Sequence, residues 1–197
     1  MSQRDRDHMR QHLAQRTAQI LLESGSRDFN AAKKKAAQQL GVKDSKNFPN
    51  NAEIELALRE HQRIFHSDKQ PEQLKHLRQI ALEAMLFLKS FRPRLVGSVL
   101  SGTADQHSVI SLHLFADTVE SIGFYLSDNK IPFQLGERRL KVAAEQYQNY
   151  STYNFLVDES TVELIVFLAK QNQTPLSPLD AKPMHRADIT EVELLLK

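Results

Sequence analysis

The residues of this chain that could do chemistry are gathered between Arg94 and Phe115, with one acid further on. Gly97-Ser98 and Ser101-Gly102 are small-residue pairs of the kind that turn a backbone and aim N–H groups at an anion. Ser111 and His113 follow two residues apart in an apolar run, so a strand there would place both on one face. Together they read as an apolar strand, a turn able to hold phosphate, and a second strand that presents side chains to it. The ordinary account of each Gly-Ser pair is a simple turn, and of His113 a partly buried histidine with a hydrogen-bond partner.

Glu163 lies between Val162 and Leu164 in a run that otherwise looks buried. Pointing inward it would need a partner; pointing outward it is a plain strand acid. Asp105 and Asp117 flank the Ser111 strand and are further candidates for a metal, although neither alternates with the other as a ligand pair should. Arg138-Arg139 and Lys141 form a basic cluster, in which Arg139 and Lys141 share a face and could meet phosphate. Their alternative is a salt-bridged surface strand. Arg186, in the late Pro-rich connector, could also reach a phosphate.

The elements that must position these groups change character near residue 92. Before it the chain reads as four helices. Met9, Leu13, Ile20 and Leu21 lie at helical spacing and stop at Ser24-Gly25; Asp28 is a good N-cap for a second helix ending at Gly41; Pro49-Asn50-Asn51 opens a third, with Ile54, Ala57, Leu58 and Phe65 on one face. Leu74, Leu77, Ala81, Ala84, Leu88 and Phe91 make the clearest stripe, which Pro93 ends. That gives a helical module over 1–92 and a second domain over 93–197.

Past Pro93 the period shifts toward strands, at 95–100, 109–115, 131–134, 138–143, 153–157 and 162–168. A helix over 118–128 with Asp117 as its cap separates the second and third, and 189–196 closes the chain as a helix. Strand, helix, strand followed by hairpins predicts an α+β fold with a mixed sheet and helices on one face.

The run Gly97-Ser98, the strand Ile110-Ser111-Leu112-His113-Leu114-Phe115 and the acid in Val162-Glu163-Leu164 resemble the DNA polymerase beta-like nucleotidyltransferase superfamily. The chain looks in particular like small bacterial nucleotidyltransferase-like proteins, which it also resembles over 30–41 and 49–59. In that superfamily two carboxylates separated by one residue stand on the second strand and a third comes from a later strand, holding Mg²⁺ with a nucleoside triphosphate. The matching positions here are Ser111, His113 and Glu163.

The resemblance therefore implies catalytic or once-catalytic roles for these three, a nucleotide site at Gly97, Ser98, Ser101, Gly102 and Arg139, and metal contact, if any, through Glu163 and Asp105. One carboxylate is a poor cage for two metals, so it implies a nucleotide-binding protein whose nucleotidyl transfer is degenerate or lost. The competing readings are an active metal-dependent transferase with an atypical site and a noncatalytic interaction protein.

Composition narrows the classes. Of 197 residues, 41% are hydrophobic and 25% charged, which is globular rather than disordered. Cysteine is absent, excluding disulfides and thiolate metal sites. With 26 Lys and Arg against 24 Asp and Glu the formal net charge is +2, so any nucleic-acid footprint must be local. Lys33-Lys34-Lys35, with Arg27 before and Lys43 after, is one candidate through which the N-terminal helices could meet a nucleic acid or protein partner; a solvated helix face is the other account. His8 and His12 share a metal-ligand spacing near the start, while His61 and His66 do not, and no zinc site is expected. The start lacks a basic-then-apolar signal pattern and no run is long enough to span a bilayer, so a cytoplasmic location away from membrane is expected.

Overall fold

The structure, a computed structural model, describes residues 3–24, 28–42, 48–65, 70–105, 108–170, 174–178 and 180–197. The chain forms two compact units, one of residues 1–70 with 178–180 and one of 71–177 with 181–197. The division falls well before the expected 92/93 boundary, because the fourth helix packs with the sheet.

The first unit holds α1 (Gln3–Ser24), α2 (Phe29–Gln39) and α3 (Asn51–Phe65). Leu13, Ala14, Ala18 and Leu21 of α1 meet Ala32, Ala36 and Ala37 of α2 and Ile54, Ala57 and Leu58 of α3 in one buried cluster. The alanines allow α2 to lie close to its neighbours. Asp28 caps α2 by accepting from the backbone N–H groups of Asn30 and Ala31, as its residue type predicts. Asn50 and Glu53 cap α3 reciprocally, each side chain accepting from the other's backbone N–H at 2.8 and 2.7 Å. The expected stop at Gly25 lies outside the described residues, as do Arg27, Lys43 and His66. Of the three adjacent lysines, Lys33 turns inward to donate to Asn51 Oδ1 at 2.9 Å, and Lys34 and Lys35 stay exposed.

In the second unit α4 (Gln70–Phe87) leads through a 3-10 turn at Lys89–Phe91 into β1 (Arg94–Val96). There follow α5 (Gly97–Ser101), β2 (Ile110–Ala116), α6 (Glu120–Asp128), β3 (Gln134–Ala143), β4 (Gln146–Val157), β5 (Ser160–Leu168) and α7 (Ile189–Leu194). The sheet has five strands in the order β1-β2-β5-β4-β3. β2 and β5 run parallel, and every other pairing is antiparallel. This is the α+β architecture with a mixed sheet that the element order implies.

Leu77, Ala81 and Leu88 near α4, Ile122 and Leu126 of α6 and Val192 of α7 bury against Leu112, Leu114, Leu164 and Val166 of the sheet. The helices thus cover one face, and the alternating residues of β2 and β5 are left for the other.

Several boundaries differ from the sequence reading. The strand expected over 95–100 stops at Val96, because Gly97 turns the chain with φ of +76° into a one-turn helix. Of the strand expected over 131–134 only Gln134 is in the sheet, where it begins β3, the strand that also includes the expected 138–143 and has Gly136 inside it. A Cβ on Gly136 would come within 2.9 Å of Thr152 Oγ1, so close approach and not a turn requires the glycine. Asp117 does not cap α6, whose N-cap is Val119 with no side-chain bond. Asp188 caps α7 in a capping box with Glu191. Among the described residues no helix is long and apolar enough to cross a membrane.

Candidate functional site

The sheet face opposite these helices carries Ser111, His113 and Glu163. Register places Val96 opposite Ser111, Ser111 opposite Glu163, and Glu163 opposite Asn154, a row across β1, β2, β5 and β4 that is polar on the last three. Arg94, His113, Ile165 and Thr152 form the next row. Parallel pairing of β2 with β5 brings together two residues that are 52 apart in the chain.

Within the first row Ser111 Oγ donates to Glu163 Oε2 at 3.4 Å, and Arg138 Nη1 lies 3.8 Å from Glu163 Oε1. Glu163 is only 9% exposed. A carboxylate so placed needs compensation, and it has a hydroxyl on one oxygen and a cation beside the other.

The cation is not the expected one. Alternation along β3 turns Arg138 to the Glu163 face and Arg139 to the helix-bearing face, where the Arg139 guanidinium stacks 4.7 Å above the Tyr147 ring. Arg139 therefore does not join Glu163, and Lys141 shares the Arg139 side of β3.

His113 is fully buried. Its Nδ1 accepts from Arg186 Nε at 3.0 Å, so the ring proton sits on Nε2, which is buried without a hydrogen-bond partner. Burial first, and the Arg186 charge second, push the imidazole pKa down from 6.5 to about 3. The ring is neutral at neutral pH, and its Nδ1 lone pair is engaged by a cation.

Arg186 itself lies 4.8 Å above Phe167 and 5.2 Å above Phe115, and donates to Thr174 Oγ1 at 3.2 Å. The segment that carries it is tied to both outer strands, Leu176 N donating to Lys141 O at 2.7 Å and Ala187 exchanging backbone bonds with Leu95. His113, Phe115, Phe167 and Tyr150 are thereby closed beneath it as a second small core.

One consequence concerns acid. Above pH 6.5 His113 is neutral whether folded or unfolded; between 6.5 and 3 only the unfolded chain binds the proton, so stability falls as pH falls through that window. The slope from this group approaches about 1.4 kcal/mol per pH unit. Urea unfolding at pH 7 and pH 5 is expected to show the native chain losing about 2 kcal/mol more than His113→Gln, whose amide oxygen can still accept from Arg186. Equal losses would contradict the buried neutral ring.

The small residues divide between the two ends of α5. Gly97 is exposed, has positive φ, and has open space where a Cβ would stand. Ser98 is buried, with Oγ lacking a partner. Ser101 and Gly102 belong to the opposite end: Ser101 Oγ bonds Thr103 Oγ1 at 3.0 Å, and Gly102, at φ +84°, closes the turn by donating to Ser98 O at 2.9 Å. Arg78 Nε caps that end by donating to Val99 O at 3.1 Å. The four residues do not form a single cradle, and only Gly97-Ser98 adjoins the Ser111 row.

Asp105 is held in a local loop, where its Oδ1 accepts from Ser108 Oγ at 2.9 Å. Among the described residues no group of three or more His, Cys, Asp or Glu converges to hold a metal ion. A two-metal site needs several hard oxygen donors. Glu163 is the one carboxylate of the row; Ser111 is neutral, and His113 is occupied by Arg186. This donor set does not fit a Mg²⁺ pair. Comparison of the chain with known protein families, with curated proteins and with solved structures finds no match.

Proposed function

We propose that this chain is a nucleotidyltransferase-like nucleotide-binding protein in which nucleotidyl transfer is slow or lost. The observation that carries the reading is the row in which the exposed, positive-φ Gly97 turn follows directly on the strand paired to Ser111, with Glu163 in register on the next parallel strand. Such a turn directs backbone N–H groups outward, where phosphate oxygens accept them. The same strand argues against turnover, since phosphoryl and nucleotidyl transfer depend on metal-borne neutralisation of phosphate charge and the places of the metal-holding acids are taken by Ser111 and His113. The α1–α3 unit, with Lys34 and Lys35 exposed, is the part of the chain available to a nucleic acid or protein partner.

The test is a calorimetric titration with each of the four nucleoside triphosphates, with and without Mg²⁺ or Mn²⁺, alongside an assay of pyrophosphate release. Binding without appreciable release is expected, and Gly97→Val, which forces a β-branched residue into positive φ, should weaken binding about tenfold or more. Metal-dependent pyrophosphate release abolished by Glu163→Gln would show an active transferase. No binding of any nucleotide would leave an interaction protein.

A further inference from the structure

The donor set that disfavours a metal pair contains a cation of its own. We infer that phosphate at this site is held by the Arg138 guanidinium in place of a divalent cation, beside the buried Glu163 carboxylate. This rests on the nucleotide-binding reading and names the chemistry by which that site would take its ligand.

Three observations carry it. Both oxygens of Glu163 already have a neighbour, one Ser111 Oγ and one Arg138 Nη1, so a metal ion would have to displace a hydroxyl and compete with a positive charge beside the carboxylate. The contact with Glu163 engages one terminal nitrogen, while the Arg138 side chain remains 49% exposed, leaving the rest of a planar five-donor fork for the bidentate geometry that phosphate favours. And Glu163 stands two strands from β1, about 10 Å across the sheet, so a phosphate chain that begins on the Gly97 turn extends over Ser111 toward Arg138.

The charges give the arrangement a sign that a metal site would reverse. In a metal site Glu163 attracts the cation that binds phosphate, and its loss weakens binding. Here Glu163 repels phosphate, and its loss removes that repulsion.

Isothermal titration of the full chain with ATP and with inorganic tripolyphosphate, each in EDTA and in Mg²⁺, tests this on the native protein and on Arg138→Gln, Glu163→Gln and Arg139→Gln. The expected result is an affinity in EDTA within about twofold of that in Mg²⁺, a loss of about tenfold or more in Arg138→Gln, and an unchanged or tighter Kd in Glu163→Gln. Arg139→Gln, one residue along the same strand and on the other face, should bind as the native chain does. Unfolding midpoints of the variants separate loss of the site from loss of the fold. Binding that requires Mg²⁺, falls in Glu163→Gln and survives Arg138→Gln would overturn the guanidinium assignment and keep the nucleotide reading. Tripolyphosphate binding through Arg138 without selective ATP binding would keep the assignment and overturn the nucleotide reading. An absence of binding by either probe would overturn both.

Discussion

Phe167→Ala is expected to lower the unfolding free energy by about 3–5 kcal/mol. Phe167 is fully buried on β5, on the sheet face opposite α4, α6 and α7, and its ring is the hub of that face. Its centroid lies 4.4 Å from that of Tyr150 and 4.6 Å from that of His113, and the Arg186 guanidinium lies 4.8 Å above it. Truncation leaves a cavity among side chains fixed by the strands below and by the tethered segment above, so little can collapse into the space. It also removes one of the two rings on which Arg186 rests, loosening the group that satisfies His113 Nδ1. Denaturant unfolding checks this, with Phe167→Leu recovering much of the loss. A loss below about 1 kcal/mol would mean that this face is loosely packed and that Arg186 is not held by it.

Leu88→Ala and Leu77→Ala should each cost about 2–5 kcal/mol. Leu77 is 1% and Leu88 0% exposed, and both share one cluster with Leu112 and Leu164 of the sheet. The position of the loss matters as much as its size. All four tyrosines, at 125, 147, 150 and 153, lie in the sheet-bearing unit and the chain has no tryptophan, so tyrosine fluorescence reports unfolding of that unit alone. Both variants should shift the tyrosine-detected transition. If that transition stays in place while helical circular dichroism falls earlier, the fourth helix belongs with α1–α3.

The parts of this protein that were legible in the sequence are those whose cause lies within a few residues. The stripe from Leu74 to Leu88 marks a helix because 3.6-residue periodicity is a property of one segment, and Asp28 caps α2 because its carboxylate reaches only the next turn. Alternation put Ser111 and His113 on one face of β2, and the order of strands and helices implied the mixed sheet. The same stripe marks the helix as a spine for the C-terminal part, and α4 buries it against the sheet.

The candidate site lay further from reach, because its contacts join residues 25 to 73 positions apart. Whether Arg138 or Arg139 meets Glu163 depends on the registers of β3 on β4 and of β4 on β5, and a slip of one residue exchanges the two faces. Nothing within β3 distinguishes two adjacent arginines. His113 is likewise a strand histidine that the sequence could leave half-exposed; its neutral state comes first from its burial in the folded unit, and its fixed tautomer from Arg186, carried across the sheet by a segment with no periodicity to read. Local chemistry thus determined the elements and which residues of a strand share a face, whereas pairing register and the long return of the C-terminal segment, decided by packing of the whole unit, chose which charges meet.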